Sequence, residues 1–509
     1  MKRKPILASA TLLAFATAIA RLFGFFRTVV LAATYGAGSV SDAFVIAFTV
    51  PDIVLALVGA SISAAFIPVY TRIGENKAKI TSNIITMTLF LGLLFSLVFT
   101  IIPQALTYLF ASQLDPVTFA LTTGFLRMMV WSAIPILVVP ILQSYLQIQN
   151  AFFFAAINNV PVNLAAITAI ILSKSTGLLS VMGYGVIIGN IIRLFYMLIM
   201  AKKKGYVYKP TLDIRAPELR EFFALMVPIM LSTLIQEINL IIDRNFASSL
   251  VSGSISALNY ASRVVNLFTA LIGSTLATVL FPFISELSAQ GKTIEIRGYL
   301  SSCIKKLIPI LLPAMVCVIL LAEPLVNIMY ERGSFSSYDT RRTAEATIMY
   351  APLIVAANLN TILTRVLFSL HDTKTPAIIS GVSILIGIML KFFMIGPLAH
   401  IGLALASSIT GLITMVALLF ILKKYLGGLE LKSNNWEWIK TIAATIIMGI
   451  AIGLGNRIVP VMSSGMLLSI LYYGGLAIFG IIVYIVLHIL LRTIFINDVI
   501  GLIRGLLNR

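Results

Sequence analysis

Apolar runs of 20 or more residues follow one another along nearly the whole chain, starting at Ile6. Each is long enough to cross a bilayer as a helix. A backbone inside lipid must satisfy its own N–H and C=O groups, which leaves only helices and closed barrels. The alternating ten-residue segments of a barrel are absent. Composition agrees, since 59% of the 509 residues are hydrophobic and 11% charged, against about 25% charged in a soluble protein. The fold expected is therefore an all-α polytopic membrane protein of about 14 transmembrane helices.

The spans are read at 6–35, 41–71, 81–110, 118–147, 151–173, 177–201, 219–246, 253–287, 299–330, 340–370, 375–398, 400–424, 436–459 and 465–492. Lys2, Arg3 and Lys4 ahead of an apolar run resemble a signal peptide. The run continues to Tyr35, too long for an h-region, so an uncleaved first helix is expected. With the N-terminus inside, the inner segments hold about twenty Lys and Arg residues and the outer loops about five. That positive-inside bias places both termini in the cytoplasm. It also accounts for most of the net charge of +18. Nucleic-acid binding would need a basic soluble face instead, so no nucleic-acid partner is expected.

The longest polar connection, 202–221, divides the chain, and the two sides repeat. Gly-Ser-Val-Ser at 38–41 matches Gly-Ser-Ile-Ser at 253–256, and Pro68 matches Pro282. A weaker match sets Ile141 against Ile362, an offset of 221. A duplicated unit with an even number of spans enters the membrane twice from the same side. Two parallel-repeat six-helix lobes around a central cavity are the expected result. The division is 1–201 for the N-terminal lobe, 202–218 for a cytoplasmic linker and 219–424 for the C-terminal lobe. Residues 425–509 add two extra helices and a tail, with Asn434, Asn435, Trp436, Trp438 and Lys440 as an interfacial anchor.

Charge inside these spans is the main functional signal. An arginine at mid-membrane costs roughly 2.5–3.5 kcal/mol on insertion scales, and the first span carries both Arg21 and Arg27. Such a helix should line a wet cavity and meet something negative. Arg127, Arg193, Glu237, Asp243, Arg244, Arg263, Lys305, Lys306, Arg365 and Lys391 are further charges within spans. Arg263 has Asn259 and Asn266 one turn away on either side. Asp42 and Asp52 suit either the cavity or a helix cap, Asp52 after a break at Pro51. Cys303 and Cys317 share one span, too far apart to bridge. His371, His400 and His488 form no metal-ligand spacing. No nucleophile–base pair or P-loop is present. Neither enzymatic activity nor a cofactor is expected.

Ala-Ile-Ala-Arg-Leu-Phe-Gly-Phe-Phe-Arg at 18–27, Gly-Ala-Gly-Ser-Val-Ser-Asp-Ala-Phe at 36–44, the 246–264 segment and Tyr-Glu-Arg-Gly-Ser-Phe at 330–335 resemble the MurJ (MviN) family. That is a family of bacterial lipid II flippases within the multidrug/oligosaccharidyl-lipid/polysaccharide exporter superfamily. The resemblance implies transport of an undecaprenyl-diphosphate-linked peptidoglycan precursor from the inner to the outer leaflet of the cytoplasmic membrane. Transport would proceed by alternating access and serve cell-wall synthesis. It also implies head-group contacts for Arg21, Arg27 and Arg263, cavity or gating roles for Asp42, Asp52 and Asn266, and a polyprenyl groove along the last two helices. The alternative is a related exporter of another polyprenyl-linked oligosaccharide or of cationic drugs. A monomer among membrane lipids is expected, with cell-wall synthesis proteins as candidate contacts.

Several positions depart from the family pattern. Thr28 stands where many members carry Asp, and Asn266 where many carry a carboxylate. Some members bind sodium through an aspartate matched by Asp243, polar groups on span eleven, and a hydroxyl matched by Ser407. The span-eleven positions here are Gly387 and Lys391. Lys391 is therefore expected to supply a tethered ammonium in place of the ion, pairing with Asp243.

Overall fold

The computed structural model describes residues 3–74, 76–429, 435–458 and 465–496. Expectations resting on Lys2, Lys432, Asn434, Arg504 and Arg509 lie outside them. Ten helices come first: α1 (Arg3–Tyr35), α2 (Ser39–Arg72), α3 (Lys77–Ile101), α4 (Pro103–Phe110), α5 (Pro116–Met129), α6 (Ala133–Ile148), α7 (Phe152–Ala156), α8 (Val160–Thr176), α9 (Ser180–Lys203) and α10 (Pro217–Ala247). Then follow α11 (Ser254–Ala289), α12 (Thr293–Leu320), α13 (Ala322–Tyr330), α14 (Ser337–Tyr350), α15 (Leu353–Ser369), α16 (Lys374–Tyr425), α17 (Asn435–Ile458) and α18 (Met466–Leu490). Among the described residues, 11 helical segments are long and apolar enough to cross a membrane. One of these is α16, whose 52 residues are two helices joined at Ala399 (φ 47°, ψ −130°).

The chain forms two compact units: Met1–Ser256 with Arg332–Ser336, and Ala257–Glu331 with Ser337–Arg509. In the first, α2 packs against α5, α6 and α10, while α1 lies on α7 and α8. Ile62, Phe66, Ile84, Val139, Leu142 and Phe222 form its fully buried core. A β-carbon at Gly185 would fall 2.1 Å from Ala169 Cβ, and one at Gly189 2.8 Å from Val162 Cα. Glycine at both lets α8 and α9 approach closely, as small residues do between membrane helices.

The 204–216 connector is tied down. Tyr206 Oη lies 3.0 Å from Ser82 Oγ, and Tyr208 Oη 3.0 Å from Thr86 Oγ1. Asn83 and the Asp213 backbone exchange two 2.8 Å hydrogen bonds. Burial raises the Tyr206 phenol to a pKa of about 12, so it stays neutral.

In the second unit, α12, α15 and α16 share a core that includes Ile304, Leu311, Ile354, Leu363 and Leu422. α17 and α18 dock on α12 through Met448, Ile452 and Tyr484. Pro313 lacks the N–H that would bond the Pro309 carbonyl one turn back. Tyr484 Oη donates to that carbonyl at 2.8 Å instead.

Two helix ends at matching positions of the expected repeat close alike. Asn150 (φ 57°) and His371 (φ 61°) are 221 residues apart and both left-handed. Ala151 N–H bonds Leu146 O at 2.8 Å and Asp372 N–H bonds Leu367 O at 3.0 Å. Asn150 N–H bonds Gln147 O and His371 N–H bonds Phe368 O in the same pattern. Both are Schellman endings, and they fall at the offset of the Ile141/Ile362 match.

Candidate functional site

Arg21 is exposed on α1, and Arg27, one and a half turns further on, is half-buried. The Arg27 guanidinium lies 3.8 Å over the Phe48 ring of α2. That contact orients the planar group without consuming its N–H donors. Thr28, at the position of the family's aspartate, donates its hydroxyl to Gly24 O on its own helix at 3.1 Å.

Asp42 is 2% exposed. Its carboxylate accepts from Gly253 N–H at 2.6 Å, Ser256 N–H at 2.7 Å and the Ser256 hydroxyl at 2.5 Å. These donors sit at the first turn of α11. Asp42 therefore caps a different helix from the one that carries it, and meets its free N–H groups with a full negative charge.

Asp52 caps nothing, because α2 runs unbroken through Pro51. Without a new helix start, no free N–H groups are offered there. It is exposed and acts electrostatically on Arg193 and Glu237. Arg193 is 3% exposed, and its Nε has no hydrogen-bond partner. The sequence marks Arg193 as a buried charge but assigns it no role. A lone arginine in span six, level with no carboxylate of its own helix, is the signal that was available.

In the second unit, Arg263 is half-buried on α11 and within electrostatic range of Tyr330. Tyr330 Oη reaches Tyr260 O at 3.4 Å and its ring lies 5.2 Å from the Tyr260 ring. Asn266 is exposed. Lys391 is 1% exposed. Thr414 Oγ1 donates to Ser383 Oγ at 2.8 Å, and a β-carbon on Gly387 would lie 3.2 Å from Thr410 Oγ1. This register faces Ser383, Gly387 and Lys391 toward the second arm of α16, with Lys391 level with Ala406 and Ser407. Ser407 donates its hydroxyl to Leu403 O at 3.0 Å. Asp243 is half-buried on α10, in the first unit.

A family model described as lipid II flippase MurJ matches residues 31–473. The chain is 29% identical to the probable lipid II flippase MurJ of Rickettsia prowazekii, over 79% of this chain and 80% of that protein. It is 28% identical to the Helicobacter pylori protein of the same description, over 81% of this chain and 94% of the relative. A solved lipid II flippase MurJ in an inward closed conformation superposes with a TM-score of 0.81 at 27% identity, covering 95% and 99% of the two chains. An inward-facing multidrug resistance MATE transporter of the MOP superfamily shares the fold, with a TM-score of 0.69 at 14% identity over 84% of this chain and 99% of that one.

Proposed function

We propose, from the premise that this chain belongs to the lipid II flippase MurJ family, that it carries lipid II across the bacterial cytoplasmic membrane by alternating access. It is a multi-pass membrane protein and a transporter. The arginine-bearing first helix carries this reading furthest. Arg21 is exposed, and the Arg27 guanidinium lies over the Phe48 ring. A guanidinium so placed suits a diphosphate, which matches its donor fork. Arg263 is assigned the same task from the second unit.

Asp42 serves as a gate latch in this reading, since its three hydrogen bonds must open if the start of α2 leaves the start of α11. Asp52 and Asn266 are exposed and are assigned to the substrate path. The lobes are 1–201 and 219–424, the linker is 202–218, and 425–509 supplies the appended helices. Both termini are cytoplasmic, the working form is a monomer, and cell-wall synthesis proteins are the candidate partners. No enzymatic step is assigned, since transport alone accounts for the charged groups. Lys391 supplies the fixed positive charge that a bound cation gives in some relatives, with Asp243 and Ser407 as the matching positions.

The test is complementation. Cells depleted of their own lipid II flippase should survive on the wild-type chain. They should die on Arg21→Ala, Arg27→Ala or Arg263→Ala present at normal membrane levels. Growth on all three variants overturns the head-group assignment.

A further inference from the structure

We infer that Arg193 and Asp52 are a switch pair inside the first unit. They stand apart in this structure and close into a salt bridge in another state of the transport cycle, when α2 bends at Pro51. The inference rests on the transport reading above. Arg193 is then a positioning residue, since its charge acts on α2 and not on substrate.

Packing alone does not explain Arg193. It lies near the middle of α9, an apolar helix long enough to span the membrane, and is 3% exposed. A charge at that depth is expensive, which marks it as functional by default. Its Nε makes no hydrogen bond, and among the described residues no carboxylate touches its guanidinium. A buried charged donor left unsatisfied adds to the cost. Its own helix offers no relief. Asn190 donates its amide to Val186 O at 3.0 Å, and Met197, one turn on, is apolar. An arginine kept only for structure would already be bonded here.

Asp52 is the carboxylate whose charge reaches Arg193. α5 and α6 pack on both α2 and α9, so the attraction acts across the interior of the unit. Asp52 is also within electrostatic range of Glu237, which sits on α10, the helix packed directly on α2. Arg193 draws Asp52 toward α9, and Glu237 repels it from the side of α10.

α2 is built to give at this point. Pro51 has no N–H for the Ala47 carbonyl, so one helical bond is missing directly before Asp52. Long helices bend at such positions. The packing changes there as well. Residues 41–51 are all buried, Asp52 is exposed, and 54–60 are half-buried or exposed. The first half of α2 is thus fixed and the second has room to swing. A contact made in one state only shifts the population toward that state.

The experiment pairs lipid II transport in vesicles with melting of the same full-length proteins in detergent. Arg193→Leu should melt no lower than the wild type, because an apolar side chain replaces an unsatisfied buried charge. Its transport should nevertheless fall about tenfold. Asp52→Asn should lose a similar factor, and the double variant no more than either single one, since both remove the same contact. Arg193→Lys keeps the charge and should retain most of the transport. Wild-type transport by Arg193→Leu overturns the inference. So does a double variant whose loss is the product of the single losses, or a melting midpoint that falls with transport, which would make Arg193 structural. If Arg193→Leu fails to reach the membrane, Arg193→Gln replaces it under the same criteria for transport and the double variant. A wild type that moves no lipid II overturns the transport reading and this inference with it, whereas an active Arg193→Leu overturns this inference alone.

Discussion

Asp42 joins two stretches of chain 211 and 214 residues apart through one carboxylate. Hydrogen bonds to a charged group are worth about 1.5–3 kcal/mol each when truncated. Asp42→Asn keeps one acceptor oxygen but removes the charge from the start of α11. It should lower stability by about 2 kcal/mol and impair complementation. Thermal melting of the purified variant in detergent checks this, and an unchanged midpoint would refute the latch. The sequence singled out Asp42 because a carboxylate in an apolar span needs a reason. It left open whether the carboxylate caps its own helix, since partners over 200 residues away leave no periodic trace. The Arg27–Phe48 contact was hidden because sequence alone does not give the rotation of α1 against α2. Lys391 was legible as an anomaly, and the facing of Ser383 and Gly387 against α16's second arm explains how it comes to be buried.

Among the elements, the loop at 332–336 does more than connect. The last carbonyls of any helix lack intrahelical partners. Here Ser334 N–H bonds Ala33 O at 2.8 Å, and its hydroxyl bonds Thr34 O at 2.9 Å, closing the C-terminal end of α1. Gly333 makes the approach possible. It sits at φ 60°, and a β-carbon there would fall 2.2 Å from Ala33 O, a backbone atom. Gly333→Ala must therefore push the loop off α1. It should cost about 1–3 kcal/mol, seen as a lower melting midpoint and faster proteolysis at the end of α1. A midpoint equal to the wild type would show that the loop can shift freely. The Tyr-Glu-Arg-Gly-Ser-Phe motif was visible in the sequence as part of a family pattern, but its work on α1 was not. Apolar length made the all-helical membrane fold readable, but not the breaks that divide α3 from α4, α12 from α13 and α14 from α15. The Schellman endings at Asn150 and His371 fall at the offset of the weaker of the two repeat matches.

For the molecule as a whole, the open mechanistic question is what drives the cycle. If Lys391 carries the charge that a cation supplies elsewhere, sodium has no task. Melting midpoints and lipid II transport in vesicles should then be equal in sodium and potassium chloride at matched ionic strength. A sodium-specific stabilisation that disappears in Asp243→Ala would reverse this assignment. Fold class and family were legible because they rest on pattern spread over hundreds of residues. The unit boundary at Ser256 was not, because α10 packs on α2, a choice made by tertiary contact.

The stitched connector has a practical consequence. Residues 206–213 are bonded to Ser82, Asn83 and Thr86 of α3. A dye placed on the outer side of that stretch would travel with a membrane helix and report its tilt, whereas on a slack tether it would report only its own tumbling.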